Sequence, residues 1–266
     1  MILYGDYHTH TIYSSGKHNA MHATGTILEN ALIAQKKGLK EIAITEHGLN
    51  HKLYGLQKKN ISRMREEIDY AQKITGVKIY LGIEANIISS QGDIDLTKDE
   101  VGLFDLIVVG FHKFARAKSV KEFWKFYVPN LLGIKSKKTK ERNTLSLMMA
   151  MDKYPIDIIS HPGVGMVVDF DELSKHAQKT GTHLEINGKR IAYTYQDIQT
   201  VIKNGAKITI DSDAHSASRV GEVDKPLNFA IKNGVDFDRI ANYGKKIEIK
   251  PKVVKWVFQK MLKMKY

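Results

Sequence analysis

The sequence predicts an α/β protein built on seven parallel strands with helices outside the sheet. Three observations carry this. Short apolar, β-branched runs occur seven times, at 2–8, 41–46, 77–84, 105–112, 156–161, 182–187 and 207–212. Segments with helical apolar spacing lie between and after them, at 25–38, 60–75, 118–128, 143–153, 170–180, 195–204 and 224–233. Gly38, Gly76, Gly181 and Gly205 each stand just after a helical segment and just before a strand, where a helix C-terminus favours a left-handed residue. Strand–helix alternation of this kind forms a parallel sheet covered by helices.

The 266 residues are read as one domain, a length that α/β barrels reach as single units. Hydrophobic residues make up 42% and charged residues 26%, an ordinary balance for a soluble protein. No apolar run reaches membrane-spanning length, and the N-terminus lacks the basic-then-apolar layout of a signal peptide, so a cytoplasmic protein with no membrane partner is expected. The absence of cysteine excludes disulfides, thiolate metal sites and a cysteine nucleophile. The net charge of +12 is concentrated in two places. Residues 113–142 hold ten Lys/Arg against Glu122 and Glu141, and residues 250–266 hold six Lys and no acid. Such patches suit phosphates, nucleic acid or an acidic surface, and equally a solvated face. The first is read as a basic insertion, an elaborated loop with helices of its own, broken by Pro129. The second carries apolar residues at 253, 254, 257, 258, 261 and 262, a helical stripe for packing on the barrel or on a partner subunit. The oligomeric state stays open.

Taken in order, the strands end in chemistry. The first runs into "GDYHTHT", where Asp6, His8 and His10 alternate and so share a face. Three polar groups buried together are costly unless something binds them. The second ends "AITEHG" with Glu46 and His47, the third "LGIEAN" with Glu84, the fourth "VVGFHK" with His112 and the fifth "IISHPG" with His161. The sixth ends "LEINGK" with Asn187, and the seventh runs into "DSDAHS" with Asp211, Asp213 and His215. In a parallel βα barrel these ends open on one face, where active sites sit. Six of the eleven histidines lie at them, and His18, in the loop after the first strand, is a seventh candidate. His22 and His51, in loops on the same face, are minor candidates; His176 and His183 are read as structural or solvated. Imidazoles and carboxylates without thiolate suit Zn, Mn or Fe. Seven His with Glu84 and Asp213 exceed the three protein ligands usual for one catalytic zinc, so two or three divalent metals are expected, with Glu84 a natural bridge. Closely spaced metals suit phosphoryl displacement.

The set H-x-H, "TEHG", "GIEAN", "GFHK", "ISHPG" and "SDAH" resembles the PHP (polymerase and histidinol phosphatase) family, and most of all its stand-alone bacterial phosphatase branch, over residues 5–222. The resemblance implies a distorted seven-stranded (β/α)7 barrel and a trinuclear centre. His8, His10, Glu84 and Asp213 would hold the first metal, Glu84, His112 and His161 the second, and His18, His47 and His215 the third, with His22 as the substitute for His18. Glu84, Asp213 and His215 are the candidate catalytic groups. Glu46, where many members carry Asp, is expected to orient His47, and Asp6 to orient His8 or His10. Lys113, Arg116, Lys189, Arg190 and Arg219 follow ligands or border the pocket in sequence and are candidate phosphate clamps. "GVG" at 163–165 reads as a turn. The expected activity is hydrolysis of a small phosphorylated metabolite, such as histidinol phosphate or a nucleotide, by metal-activated hydroxide. The rival readings are a metal-dependent nuclease tracking nucleic acid with its basic patches, and a catalytically degenerate binding domain.

Overall fold

A computed structural model describes residues 3–16 and 21–252 and arranges seven parallel strands side by side in chain order. They are β1 (Gly5–Thr9), β2 (Glu41–His47), β3 (Lys78–Asn86), β4 (Leu106–Gly110), β5 (Ile158–Ile159), β6 (His183–Asn187) and β7 (Ile208–Asp211). Side-chain alternation gives the sheet two buried faces. Ile42, Ile44, Ile79, Leu81, Ile83, Ile107 and Val109 join the large core beneath the helices. Their neighbours Ala43, Leu106, Val108 and Ile158 join Tyr7 in a second apolar cluster inside the curled sheet. Burial on both faces is why these strands read as continuous apolar runs.

The barrel is nearly closed. Between β1 and β7 a single bridge, Thr9 to Ala214, replaces a full ladder. Side chains do the rest. The Asn242 amide donates to Gly5 O (3.0 Å) and Ile210 O (2.8 Å), while its oxygen accepts from Ile210 N (3.0 Å). Asp6 accepts from Ser212 N (3.0 Å), Ser212 Oγ (2.5 Å) and Gly221 N (2.8 Å). Asp6 is therefore part of the closure and touches neither imidazole of the H-x-H pair through its carboxylate, in contrast to the orienting role expected of it.

The other end of the barrel is plugged by the segment that starts at Ala241. Ala241 and Ile247 enter the inner cluster. The fully buried Asp157 carboxylate accepts from Ile107 N (2.7 Å), Lys250 N (2.8 Å) and Lys252 Nζ (2.6 Å). The expected basic helix over 250–266 falls on residues 253–266, outside the described residues. Lys250 and Lys252, at its start, are anchored against β5.

The helices follow their caps. α1 (Ile27–Lys36) opens with a Thr26–Glu29 capping box, and α2 (Ile61–Thr75) ends at left-handed Gly76. The short α3 (Lys98–Val101) precedes β4. Between β4 and β5 the basic segment forms α4 (Val120–Glu122), a π-helical turn (Phe123–Tyr127), α5 (Val128–Leu131) and α6 (Lys137–Lys153). Pro129 is the second residue of α5, directly after the π-helical turn, and the helix continues through it to Leu131, so it is not the break. The chain turns instead at Gly133, φ 66°. α6 begins six residues before the expected 143 because Ser136 caps it, and Lys137, Lys138 and Lys140 lie in its first turn. α7 (Phe170–Thr180), α8 (Tyr195–Lys203) and α9 (Asp224–Lys232) complete the outer layer. Among the described residues no helix is long and apolar enough to cross a membrane.

Candidate metal centre

The C-terminal ends of the strands converge on Glu84, the seventh residue of β3. Its carboxylate lies 3.4 Å from His8 Nε2, 3.7 Å from His10 Nε2, 2.9 Å from His47 Nδ1, 3.3 Å from His112 Nε2 and 3.1 Å from His161 Nε2. Asp213 Oδ1 adds contacts of 3.8 Å to His8 and 3.5 Å to His10. The His215 ring is 4.4 Å from that of His10. Three sets have ligand atoms within 4.8 Å of one another: His8, His10 and Asp213; His47, Glu84 and His112; and His10, His47 and His215. Of the nine candidate ligands, eight meet in this cage. His18 lies outside the described residues. His22 stands beside the cage, its ring 4.5 Å from His215, 5.2 Å from His47 and stacked on Tyr54 at 3.9 Å.

Hydrogen bonds fix how the rings face. His8 Nδ1 donates to Glu185 Oε1 (2.8 Å), leaving Nε2 for the cage. The other Glu185 oxygen accepts from the backbone N–H of His161 (2.7 Å) and from Asn187 Nδ2 (2.9 Å). His112 Nδ1 donates to Asn86 Oδ1 (2.7 Å), and Asn86 is held in turn by buried Asp95 through its amide (2.6 Å) and its backbone N–H (2.7 Å). Glu46 accepts from the hydroxyls of Thr11 and Ser14, and Ser14 Oγ lies 3.3 Å from His10 Nδ1. Through Ser14, Glu46 thus reaches the His10 ring and the backbone N–H of His47 (3.5 Å), while its carboxylate does not bond the His47 ring as expected. Sequence spacing does not single out Glu185, Asn86 or Asp95; the signal in Glu185 is a lone carboxylate two residues before Asn187, on the same face of the strand and flanked by Leu184 and Ile186. His51 and Tyr54 complete one wall, the His51 ring 5.2 Å from His47.

The backbone bends for this geometry. Among the described residues only His161 (φ 31°) and Asp213 (φ 51°) have positive φ without being glycine, and both carry cage side chains. Such conformations cost about 1–3 kcal/mol each and persist where surrounding contacts over-determine them. Gly110 is needed for close approach: a Cβ there would meet Ser160 Oγ at 2.3 Å and His161 at 3.1 Å.

Burial alone would raise the Glu84 carboxyl, but His112 and His8 hold it well below the ordinary carboxylate range. Burial likewise opposes ionisation of Asp213, and His8 and His10 overcome it. Burial, with His215 beside it, lowers His10 to about 3, and burial lowers His47 and His215. For His8 burial is outweighed by Glu185 and Glu84, which raise it well above the usual value. For His161 too burial is outweighed, by Glu84 and Glu185, and its pKa is raised. Ionised carboxylates, lowered rings at His10, His47 and His215 and two rings, His8 and His161, that draw positive charge describe a cage that attracts cations. Its buried atoms agree. His47 Nε2, His161 Nδ1 and His215 Nε2 lack hydrogen-bond partners among the described residues, and His47 Nδ1 and Glu84 Oε2 approach to 2.9 Å without hydrogen-bond geometry. Unsatisfied groups are expensive unless they coordinate something, so these residues fit divalent metal ions.

A pocket of about 290 Å³ opens over the cage, bordered by Lys113, Lys189 and Arg190. Arg116 lines the neighbouring cleft. Arg219 lies on the turn Ala217–Arg219, pairs with Glu222 at 2.8 Å and does not line the pocket, contrary to expectation.

A family model for the PHP domain matches residues 6–247. The chain belongs to the PHP family. Within that family it is 30% identical over 246 residues to a probable phosphatase of a Thermoanaerobacter species, covering 89% of each chain. It is 31% identical over 248 residues to a probable phosphatase of Photobacterium profundum, covering 86% of this chain and 87% of that one. In structure, this PHP barrel is similar to histidinol phosphate phosphatase from Lactococcus lactis, crystallised with zinc, L-histidinol and phosphate. The TM-score is 0.61, with 16% identity, covering 95% of this chain and 98% of the other.

Proposed function

We propose that this PHP phosphoesterase hydrolyses a small phosphomonoester, water replacing the alcohol at phosphorus to release the alcohol and inorganic phosphate. The observation that carries the reading is one buried carboxylate, Glu84, ringed by five imidazole nitrogens within 3.7 Å at the mouth of the barrel. His8, His10, Glu84 and Asp213 would hold one metal, Glu84, His112 and His161 a second, and His47 and His215 a third with His18 or His22. Metals bound there polarise phosphoryl oxygens and activate water near neutral pH.

The chain supplies everything else. Glu185 and Asn86 fix His8 and His112 through their Nδ1 protons, so both present Nε2 to the cage. Lys113, Lys189 and Arg190 offer positive charge to the phosphoryl oxygens at the pocket mouth. The aromatic wall of His22, Tyr54 and His51 restricts water on one side. The small pocket favours a compact phosphate over a polymer. Histidinol phosphate heads the substrate panel because the Lactococcus lactis enzyme of this fold was crystallised with histidinol and phosphate.

The test is elemental analysis of gently purified protein, followed by phosphate release from a panel of phosphorylated metabolites and labelled oligonucleotides with Mn or Zn supplied. More than one transition metal per chain, turnover of a small phosphate and its abolition in Glu84→Gln support the reading. Metal content near zero after supplementation overturns the metal assignment. Cleavage of oligonucleotides with no small phosphate turned over makes the nuclease reading the better one.

A further inference from the structure

We propose that the substrate carries a second anionic group at the end away from the reacting phosphate, held by Lys52 and Arg116 in a cleft beside the catalytic pocket. This rests on the phosphoesterase reading above. The cleft is built by two loops that meet as a short antiparallel ribbon. The loop after β2 and the loop after β4 pair at His51 and Ala115. Lys52 N–H donates to Phe114 O (3.0 Å) and Arg116 N–H to Asn50 O (3.2 Å). The side chains of this ribbon divide between two openings. His51 and Phe114 line the catalytic pocket. Lys52 and Arg116 line a cleft of about 620 Å³ on the other side, and Lys113 lines both.

The charges in that cleft are unbalanced. Lys118 is already committed to Asp93 at 2.8 Å. Lys52, Lys113 and Arg116 have no carboxylate within ion-pair distance among the described residues. Cations gathered on one ridge repel one another until an anion arrives. A single phosphoryl group over the cage can engage Lys113, Lys189 and Arg190, which leaves Lys52 and Arg116 unused. The guanidinium fork matches phosphate or carboxylate oxygens, and the ribbon holds the two backbones in place before binding. Val120, Phe123 and Ile88 line the same cleft. The molecule that fits is a small organic phosphate with an apolar or ring-like middle and a second phosphate or carboxylate.

The probes are a graded series of straight-chain alkane bisphosphonates, phosphonate at each end, against alkylphosphonates of equal length. Their binding to metal-loaded protein is measured by calorimetry. We expect one chain length at which the bisphosphonate binds about tenfold tighter, a difference reduced to about twofold or less in Lys52→Met/Arg116→Gln. The charge-preserving Lys52→Arg/Arg116→Lys protein should keep most of the preference, which separates charge from folding. No preference at any length, or one that survives in the neutral variant, overturns the proposal. Hydrolysis of the matching alkyl phosphates is followed separately. If none is hydrolysed but the binding preference stands, the catalytic reading fails and the cleft remains. A 5′-phosphorylated oligonucleotide is the last arm. If it displaces the bisphosphonate, and its own binding collapses when Lys135, Lys137 and Lys138 are neutralised, the second anion comes from nucleic acid and the small-molecule proposal is overturned.

Discussion

Asp157 offers the most direct separation of stability from catalysis in this barrel. Its carboxylate is fully buried and takes three donors: two backbone N–H groups and the Lys252 ammonium, itself only 6% exposed. Burial pushes Asp157 up, and burial also pushes Lys252 down. Each group is thus driven toward its neutral form, so their attraction repays only part of the desolvation. Asp157→Asn keeps the shape, removes the charge and leaves one donor facing an amide NH2. An orphaned buried donor costs about 1–3 kcal/mol, and breaking a buried ion pair from one side about 3–5 kcal/mol. The two effects overlap, so about 3–4 kcal/mol is expected, a fall in melting temperature of roughly 6–16 °C at about 2–4 °C per kcal/mol. Removing the stranded ammonium as well, in Asp157→Asn/Lys252→Met, should recover about 2 kcal/mol of that loss. Urea denaturation of the four proteins, with phosphate release measured at a temperature where all are folded, gives the answer. Activity per folded molecule should not change, because Asp157 sits at the end of the barrel opposite the cage. A single-variant loss below about 1 kcal/mol, or strictly additive single variants, would refute the reasoning.

Three further expectations follow from the same geometry. Glu185→Gln weakens the support of His8 Nδ1 and His161 N–H together, so metal affinity should fall about 10–100-fold, with excess Mn restoring much of the activity; competition with a chelating dye reads it, and unchanged affinity would remove Glu185 from the site. His183 is buried at the start of β6, and burial lowers its pKa from 6.5 to about 4. The unfolded chain therefore binds the extra proton first, and the contribution of His183 to stability, complete above 6.5, drains away as pH falls to about 4, to a limit of about 3 kcal/mol. His183→Asn should flatten that acid limb in melts at pH 7 and pH 5, and parallel curves for the two proteins would contradict it. Chelation followed by dialysis should lower the melting temperature by roughly 5–10 °C, since a metal present at about 100 times its Kd adds about 2.7 kcal/mol; an unchanged melt would mean the cage is stable empty.

The sequence was most legible where chemistry coincides with strand ends. His47, Glu84, His112 and His161 each stand at or just beyond the end of a run of β-branched residues, and a parallel barrel leaves those ends no place but one face. Partners inside the strands were harder to read. Glu185 lies between Leu184 and Ile186 and looks like an interior residue until the period of two places it beneath Asn187. Asp6 and Glu46 were assigned to the nearest imidazole in sequence, yet their partners are Ser212 in one case and Thr11 and Ser14 in the other. Hydrogen-bond partners across a barrel depend on register, which spacing along the chain does not encode. The start of α6 was missed for a different reason. Lys137, Lys138, Lys140 and Glu141 make a polar first turn without apolar periodicity, and only the Ser136 cap marks its beginning.

The closure of β1 against β7 also has a consequence in time. Asp6 and Ser212 are 206 residues apart in the chain. At about 5–20 residues per second, a ribosome needs roughly 10–40 s to travel from the first histidine pair to Asp213 and His215. Throughout that interval Asp213 is still unmade, and for most of it Glu185 is too, so His8 and His10 are an ordinary H-x-H in an unfinished chain. Discrimination among metals cannot begin during synthesis, because the groups that discriminate arrive last. Loading of this enzyme is an event in the life of the finished barrel, governed by whichever ions it meets after release.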